Sequence, residues 1–151
     1  MRKIILTVIL VGSILASAEA QDYKTGIGLR GGISQGLTLK HFLNEKTAVE
    51  GLLQTHWGGV ELTGLYEIFN ARAFDVDRLN WYYGFGAHIG SYNSADLPSG
   101  TVLGIDGILG LEYSFVEAPI NIGIDWKPVF NLVGDNNFRG DGLALSIRYI
   151  F

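Results

Sequence analysis

The chain has 151 residues, room for one domain and not two, with 21 glycines, 3 prolines and no cysteine. Charged residues make up 17% and aromatics 12%, against the roughly 25% charged of an average soluble domain. The lack of cysteine excludes disulfides, thiolate metal sites, thiol catalysis and a lipoprotein anchor, and a net charge of −4 offers a nucleic-acid partner no electrostatic support.

Residues 1–20 read as a secretory leader. Arg2 and Lys3 form a positive start, Ile4 to Leu15 is an almost unbroken apolar run, and Ala18-Glu19-Ala20 offers small residues where a signal peptidase reads them. The alternative, a membrane anchor, needs about 20 apolar residues, and the run is shorter. Of the 11 basic and 15 acidic residues, the leader holds Arg2, Lys3 and Glu19, so residues 21–151 keep 9 and 14.

The rest alternates with period two, as strands with two unlike faces do. Ile27, Leu29 and Ile33 oppose Gly26, Gly28, Arg30 and Gly32. Leu37, Leu39 and Leu43 oppose Thr38 and Lys40; here the same parity puts His41 with the leucines and Phe42 with the charges. Val49, Leu53 and Trp57 oppose Glu50, Gln54 and His56. Val60, Leu62, Tyr66 and Ile68 oppose Glu61, Thr63 and Glu67. Trp81, Tyr83, Phe85, Ala87 and Ile89 oppose Gly84, Gly86, His88 and Gly90. Ile105, Gly107, Leu109, Leu111 and Tyr113 oppose Gly104, Asp106, Gly110 and Glu112. Ile120, Ile122, Ile124 and Trp126 oppose Asn121, Gly123, Asp125 and Lys127. Last, Leu143, Leu145, Ile147, Tyr149 and Phe151 oppose Ala144, Ser146 and Arg148. Eight such segments, each near the 9–11 residues of a tilted membrane strand, predict an all-β fold: an eight-stranded antiparallel up-and-down transmembrane β-barrel over 21–151.

Connections at 44–47, 70–80 and 116–119 then fall on the periplasmic side. Those at 31–36, 57–59, 92–101 and 132–140 fall outside, where the two longer ones are candidate binding loops. Pro128 cannot donate to a ladder and predicts a bulge near the outer rim.

Alternation does not say which face is inside. A soluble barrel carrying a small ligand would turn the apolar face inward. The opposite arrangement is favoured because the charged face is also the glycine face, and a narrow lumen needs small residues beside large polar ones. Aromatics on the apolar face also gather near segment ends: Trp81, Tyr83, Tyr113, Phe115, Tyr149 and Phe151 toward the periplasm, Trp57, Trp126 and Phe130 toward the outer rim. A lumen polar network of structural character is therefore expected from Arg30, Lys40, Glu50, Glu61, Glu67, His88, Asp106, Glu112, Asp125, Lys127 and Arg148, with His56 a further candidate, because buried charges must pair.

A final strand with Leu145, Ile147, Tyr149 and terminal Phe151 resembles the C-terminal signal read by the barrel-assembly machinery. Together with the Trp81-Tyr82-Tyr83-Gly84-Phe85-Gly86 and Asp125-Trp126-Lys127-Pro128 stretches, it makes the chain similar to the small OmpA-like and OmpX-like barrels of Gram-negative bacteria. The resemblance implies a cell outer-membrane location, with outer-membrane lipid and the assembly machinery as partners, and no cofactor. It implies a structural or surface-interaction role and leaves the surface ligand unspecified.

The alternative of a lipid-modifying enzyme of this architecture lacks a visible nucleophile–base–orienter set. His88 and Ser91 are three apart, and His88 is expected in the lumen. Two motifs carry no chemistry. Gly26-Ile27-Gly28-Leu29-Arg30-Gly31 fits a dinucleotide fingerprint with no helix after it. Asp135, Asn137 and Gly140 echo a calcium loop whose fifth position is Arg139, so no metal site is expected.

Overall fold

A computed structural model describes residues 23–56, 58–94, 97–134 and 138–151. The expected leader, Trp57, Asp135 and Asn137 lie outside the described residues. The strands are β1 (Thr25–Gly32), β2 (Gln35–Phe42), β3 (Thr47–His56), β4 (Gly59–Asn70), β5 (Leu79–Ser94), β6 (Leu97–Ser114), β7 (Ile120–Trp126), β8 (Val129–Val133), β9 (Phe138–Arg139) and β10 (Leu143–Ile150). β7 with β8 forms one stave and β9 with β10 another, so the closed antiparallel barrel has eight. Their hydrogen-bonded order is β5-β4-β3-β2-β1-β10-β7-β6-β8-β9, and a β5–β6 ladder completes the ring. Closure leaves the body of the sheet without an edge, the condition for placing backbone polar groups in an apolar medium.

The start of β1 and the end of β10 meet at one rim. Thr25 N–H donates to the Phe151 carbonyl and Phe151 N–H to that of Thr25, both at 2.9 Å. The turns at this rim are 43–46, 71–78 and 115–119. In the first, the Asn44 side-chain carbonyl accepts from the backbone N–H of Lys46 (2.9 Å) and Thr47 (3.0 Å), the local bonding that makes asparagine a turn residue. The second carries Arg72, Phe74, Asp75 and Arg78 in the left-handed region, with φ of 54–65°. L-residues pay for that conformation, and the Arg78 guanidinium holds the turn by donating to the Ser114 and Phe115 carbonyls at 2.7 and 3.1 Å.

At the other rim the connections differ from expectation. The segment 92–101 is not a loop: β5 and β6 run on as a hairpin, to Ser94 paired with Leu97, after a register irregularity between Tyr92 and Ser94. The β4 ladder onto β5 reaches only Ser91, and the β8 ladder onto β6 only Leu103, so the hairpin outreaches both neighbours. Part of 132–140 is also strand, with β8 ending at Val133 and β9 covering Phe138–Arg139. Period-two alternation weakens in both segments, which is why they read as loops.

The expected bulge exists but sits beyond the proline. Leu109 faces Trp126 and Asp106 faces Val129, so no residue is added at Lys127-Pro128. Gly107 N–H donates to the Pro128 carbonyl at 2.9 Å, and the proline only leaves out the donor it lacks. The register shifts later, between Leu103 and Gly104 opposite Val133 and Asn131, which leaves Leu132 as the extra residue.

The faces follow the alternation. Leu29, Phe85, Ile105 and Leu145 turn outward and keep half or more of their surface exposed, whereas Lys40, Glu50, Glu67 and Arg148 turn inward and are buried. The outward aromatics pair along their strands, Trp81 with Tyr83, Tyr113 with Phe115 and Tyr149 with Phe151, at 5.1–5.8 Å between ring centroids. His41 shares the outward face, half-buried, with its Nδ1 2.9 Å from Thr25 Oγ1.

Candidate functional site: the barrel lumen

Cross-strand pairing explains how a narrow barrel takes in so many charges. Eight of the large polar residues each face an inward glycine on the next strand. Lys40 faces Gly26, Arg30 faces Gly36, Arg148 faces Gly28, Glu67 faces Gly84, His88 faces Gly104, Asp106 faces Gly86, Asp125 faces Gly110 and Glu112 faces Gly123. Gly110 is the clearest case of need. A Cβ there would lie 2.5 Å from Tyr82 Cζ and 2.8 Å from Asp125 Cβ, inside any van der Waals contact.

The end of the lumen near Tyr23 and Phe151 is apolar, which the reading of the sequence as a polar lumen missed. Tyr23 packs edge-on to Phe42 at 5.0 Å, Phe42 meets Phe69 at 4.7 Å, and Phe69 stacks on Tyr82 at 4.8 Å. Leu52, Leu65, Ile108 and Ile150 complete this floor. The signal was present: all of these strand residues have the parity of the charges, and only Phe42 draws attention from sequence.

Above the aromatic floor lies an inner charge cluster. Lys40 Nζ is 3.0 Å from Glu67, 3.2 Å from Glu112 and 3.6 Å from Glu50. It also lies over the rings of Tyr82 and Phe69, 4.1 and 4.9 Å from their centroids, in cation–π contact. Arg148 donates to Glu50 at 2.6 Å, to Thr38 Oγ1 at 3.1 Å and to Asn121 Oδ1 at 3.2 Å. Tyr23 donates its hydroxyl to Glu112 at 2.8 Å. Thr38 donates to Glu50 at 2.5 Å. Tyr23, Thr38 and Asn121 are network members the sequence reading did not name.

Farther up, Arg30 grips Asp125 through both terminal nitrogens, the bidentate geometry that makes Arg–carboxylate pairs strong. The outer cluster joins His88, Asp106, Lys127 and Glu61. His88 Nδ1 is 3.0 Å from Asp106 and its Nε2 is 2.9 Å from Asn131 Oδ1. Lys127 Nζ reaches Asp106 at 3.2 Å and Glu61 at 3.5 Å. A void of about 30 Å³ remains beside Arg30, Glu61, Lys127 and Arg139, room for about two waters.

All eleven residues expected in the lumen are thus brought together there, in three groups. His56 lies on β3, and its side chain is outside the described residues. His88 and Ser91 do not meet: His88 is buried in the lumen, whereas Ser91 is exposed. Among the described residues no group of three or more His, Asp or Glu is arranged to hold a metal ion. Leu145, Ile147 and Tyr149, expected from sequence to form an assembly signal with Phe151, face outward on β10, and Phe151 follows the strand.

No known family and no curated protein matches the sequence. Among solved structures, the crystal structure of the N-terminal β-barrel domain of Pseudomonas aeruginosa OprF is similar. The TM-score is 0.63 at 12% identity, over 84% of this chain and 95% of that one. At that identity the likeness shows the fold: an outer-membrane-type β-barrel.

Proposed function

We propose that the chain is an integral outer-membrane barrel with a structural or surface-interaction role, its lumen filled by a polar network instead of left open as a channel. The carrying observation is the inverted burial. Lys40, Glu50, Glu67 and Arg148 have fully buried side chains, while aliphatic residues on the barrel wall, Leu29 at 61% and Leu145 at 59% among them, are exposed. An apolar belt around a closed barrel is costly in water and suited to lipid. The same inversion speaks against a soluble ligand carrier, whose cavity would be lined by the apolar face.

In this reading residues 1–20 direct export and are removed, and β10 with Phe151 presents the assembly signal. Surface interaction falls to the β5–β6 hairpin, whose backbone groups above Ser91 and Leu103 have no ladder partner on β4 or β8 among the described residues and can pair with an added strand. The test is fractionation of producing cells, followed by gel electrophoresis with and without boiling. Outer-membrane recovery and faster migration of the unboiled form are expected. Release by osmotic shock, with no heat-dependent mobility, would overturn the proposal.

A further inference from the structure

We infer that the lumen binds one proton at neutral pH, held on the Glu67 carboxyl and donated to Glu50. The inner cluster sets three carboxyls, Glu50, Glu67 and Glu112, against two cations, Lys40 and Arg148. The other described lumen charges are matched elsewhere: Arg30 grips Asp125, Lys127 and Arg139 together face Asp106 and Glu61, and the His88 ring nitrogens are engaged by Asp106 and Asn131. One carboxylate in the inner cluster is left over. An uncompensated buried charge is costly enough that the group neutralises instead.

Geometry picks the group. Glu50 accepts from the Arg148 guanidinium and from the Thr38 hydroxyl. Glu112 accepts from Tyr23 and from Lys40. Glu67 has only the shared Lys40 ammonium at 3.0 Å, and its inward ladder neighbours are Ala48 and Gly84, neither with a polar side chain. Both Glu67 oxygens, and Oε2 of Glu50, lack a hydrogen-bond partner. Glu50 and Glu67 share the Lys40 ammonium, at 3.6 and 3.0 Å, so a proton on Glu67 supplies the donor that Glu50 Oε2 lacks. The titratable groups around Glu67 are Lys40 on β2, Glu50 on β3, Tyr82 on β5, Glu112 on β6, Arg148 on β10 and Tyr23 ahead of β1. The two phenols are neutral at pH 7, so neither changes the balance. The inference rests on the closed lumen and not on where the barrel resides.

The experiment is carbon-13 NMR of the folded full chain, labelled only in glutamate side chains, at pH 7. An exposed glutamate, with an ordinary pKa of about 4.3, is ionised there. One neutral-carboxyl resonance is expected, and it is lost in Glu67→Gln. If that variant does not fold, Glu67→Asp removes the same label while keeping a carboxyl. A wild-type spectrum with every glutamate ionised, or a neutral resonance that survives either substitution, overturns the inference.

Discussion

At the scale of single residues, the lumen depends on matched charge. Lys40 is the cation three carboxyls share, so Lys40→Met leaves buried acids uncompensated, a change of about 3–5 kcal/mol in other proteins. The expected result is a lower urea midpoint for loss of the fast-migrating form in lipid vesicles; an unchanged midpoint would show the cluster to be energetically idle. Gly110 tests the space argument. Gly110→Ala drives a methyl into Tyr82, whose ring is already stacked on Phe69, and overpacking of this kind costs about 1–3 kcal/mol. The same unfolding assay should register the loss, and Gly51→Ala should not, because a Cβ at outward Gly51 meets nothing within 4 Å. The lumen membership of Lys40, Glu50 and Arg148 is legible in sequence, since parity puts them on the polar face and the glycines of most strands mark that face as inward. Their partners are not legible, and neither is the aromatic floor. Phe69 and Tyr82 obey the same parity, but an apolar side chain on a polar face looks like noise until its neighbours are known.

At the scale of elements, each strand carries two solvents on its two faces. Leu39 and Lys40 are adjacent in β2, one 51% exposed and the other fully buried. The outward position should therefore reject charge: Leu39→Arg is expected to cost about 2–4 kcal/mol if it lies at the bilayer midplane, read as a lower folded yield in vesicles. A yield equal to that of the parent chain would place Leu39 away from lipid. The strand pattern was plain from sequence wherever alternation was strict, as in β10. It failed at 92–101, because Tyr92 to Thr101 mixes polar and small residues that suit a loop as well as a solvated hairpin. The bulge was anticipated from Pro128 and found at Leu132. A proline removes a donor without forcing an extra residue, whereas the bulge answers to pairing with Leu103 and Gly104 on another strand.

At the scale of the whole molecule, closure brings the start of β1 and the end of β10 to one rim and the β5–β6 hairpin to the other. With no cysteine in the chain, single substitutions report orientation cleanly. Asn93→Cys should react with a membrane-impermeant maleimide on intact cells, and Glu117→Cys only after the outer membrane is permeabilised. The reverse pattern would invert the assigned topology.

Strand number, face assignment and the charged residues of the lumen were determined by the sequence itself, because period-two alternation and glycine placement are properties of neighbours along the chain. The pairings were decided only by the tertiary structure. Lys40 meets Glu112 across 72 residues and Thr38 meets Arg148 across 110, contacts set by the shear with which eight staves close. That shear gathers three acids around two bases, packs four rings beneath them and carries one hairpin past its neighbours. No local pattern encodes it, since each depends on the register between strands far apart in the chain.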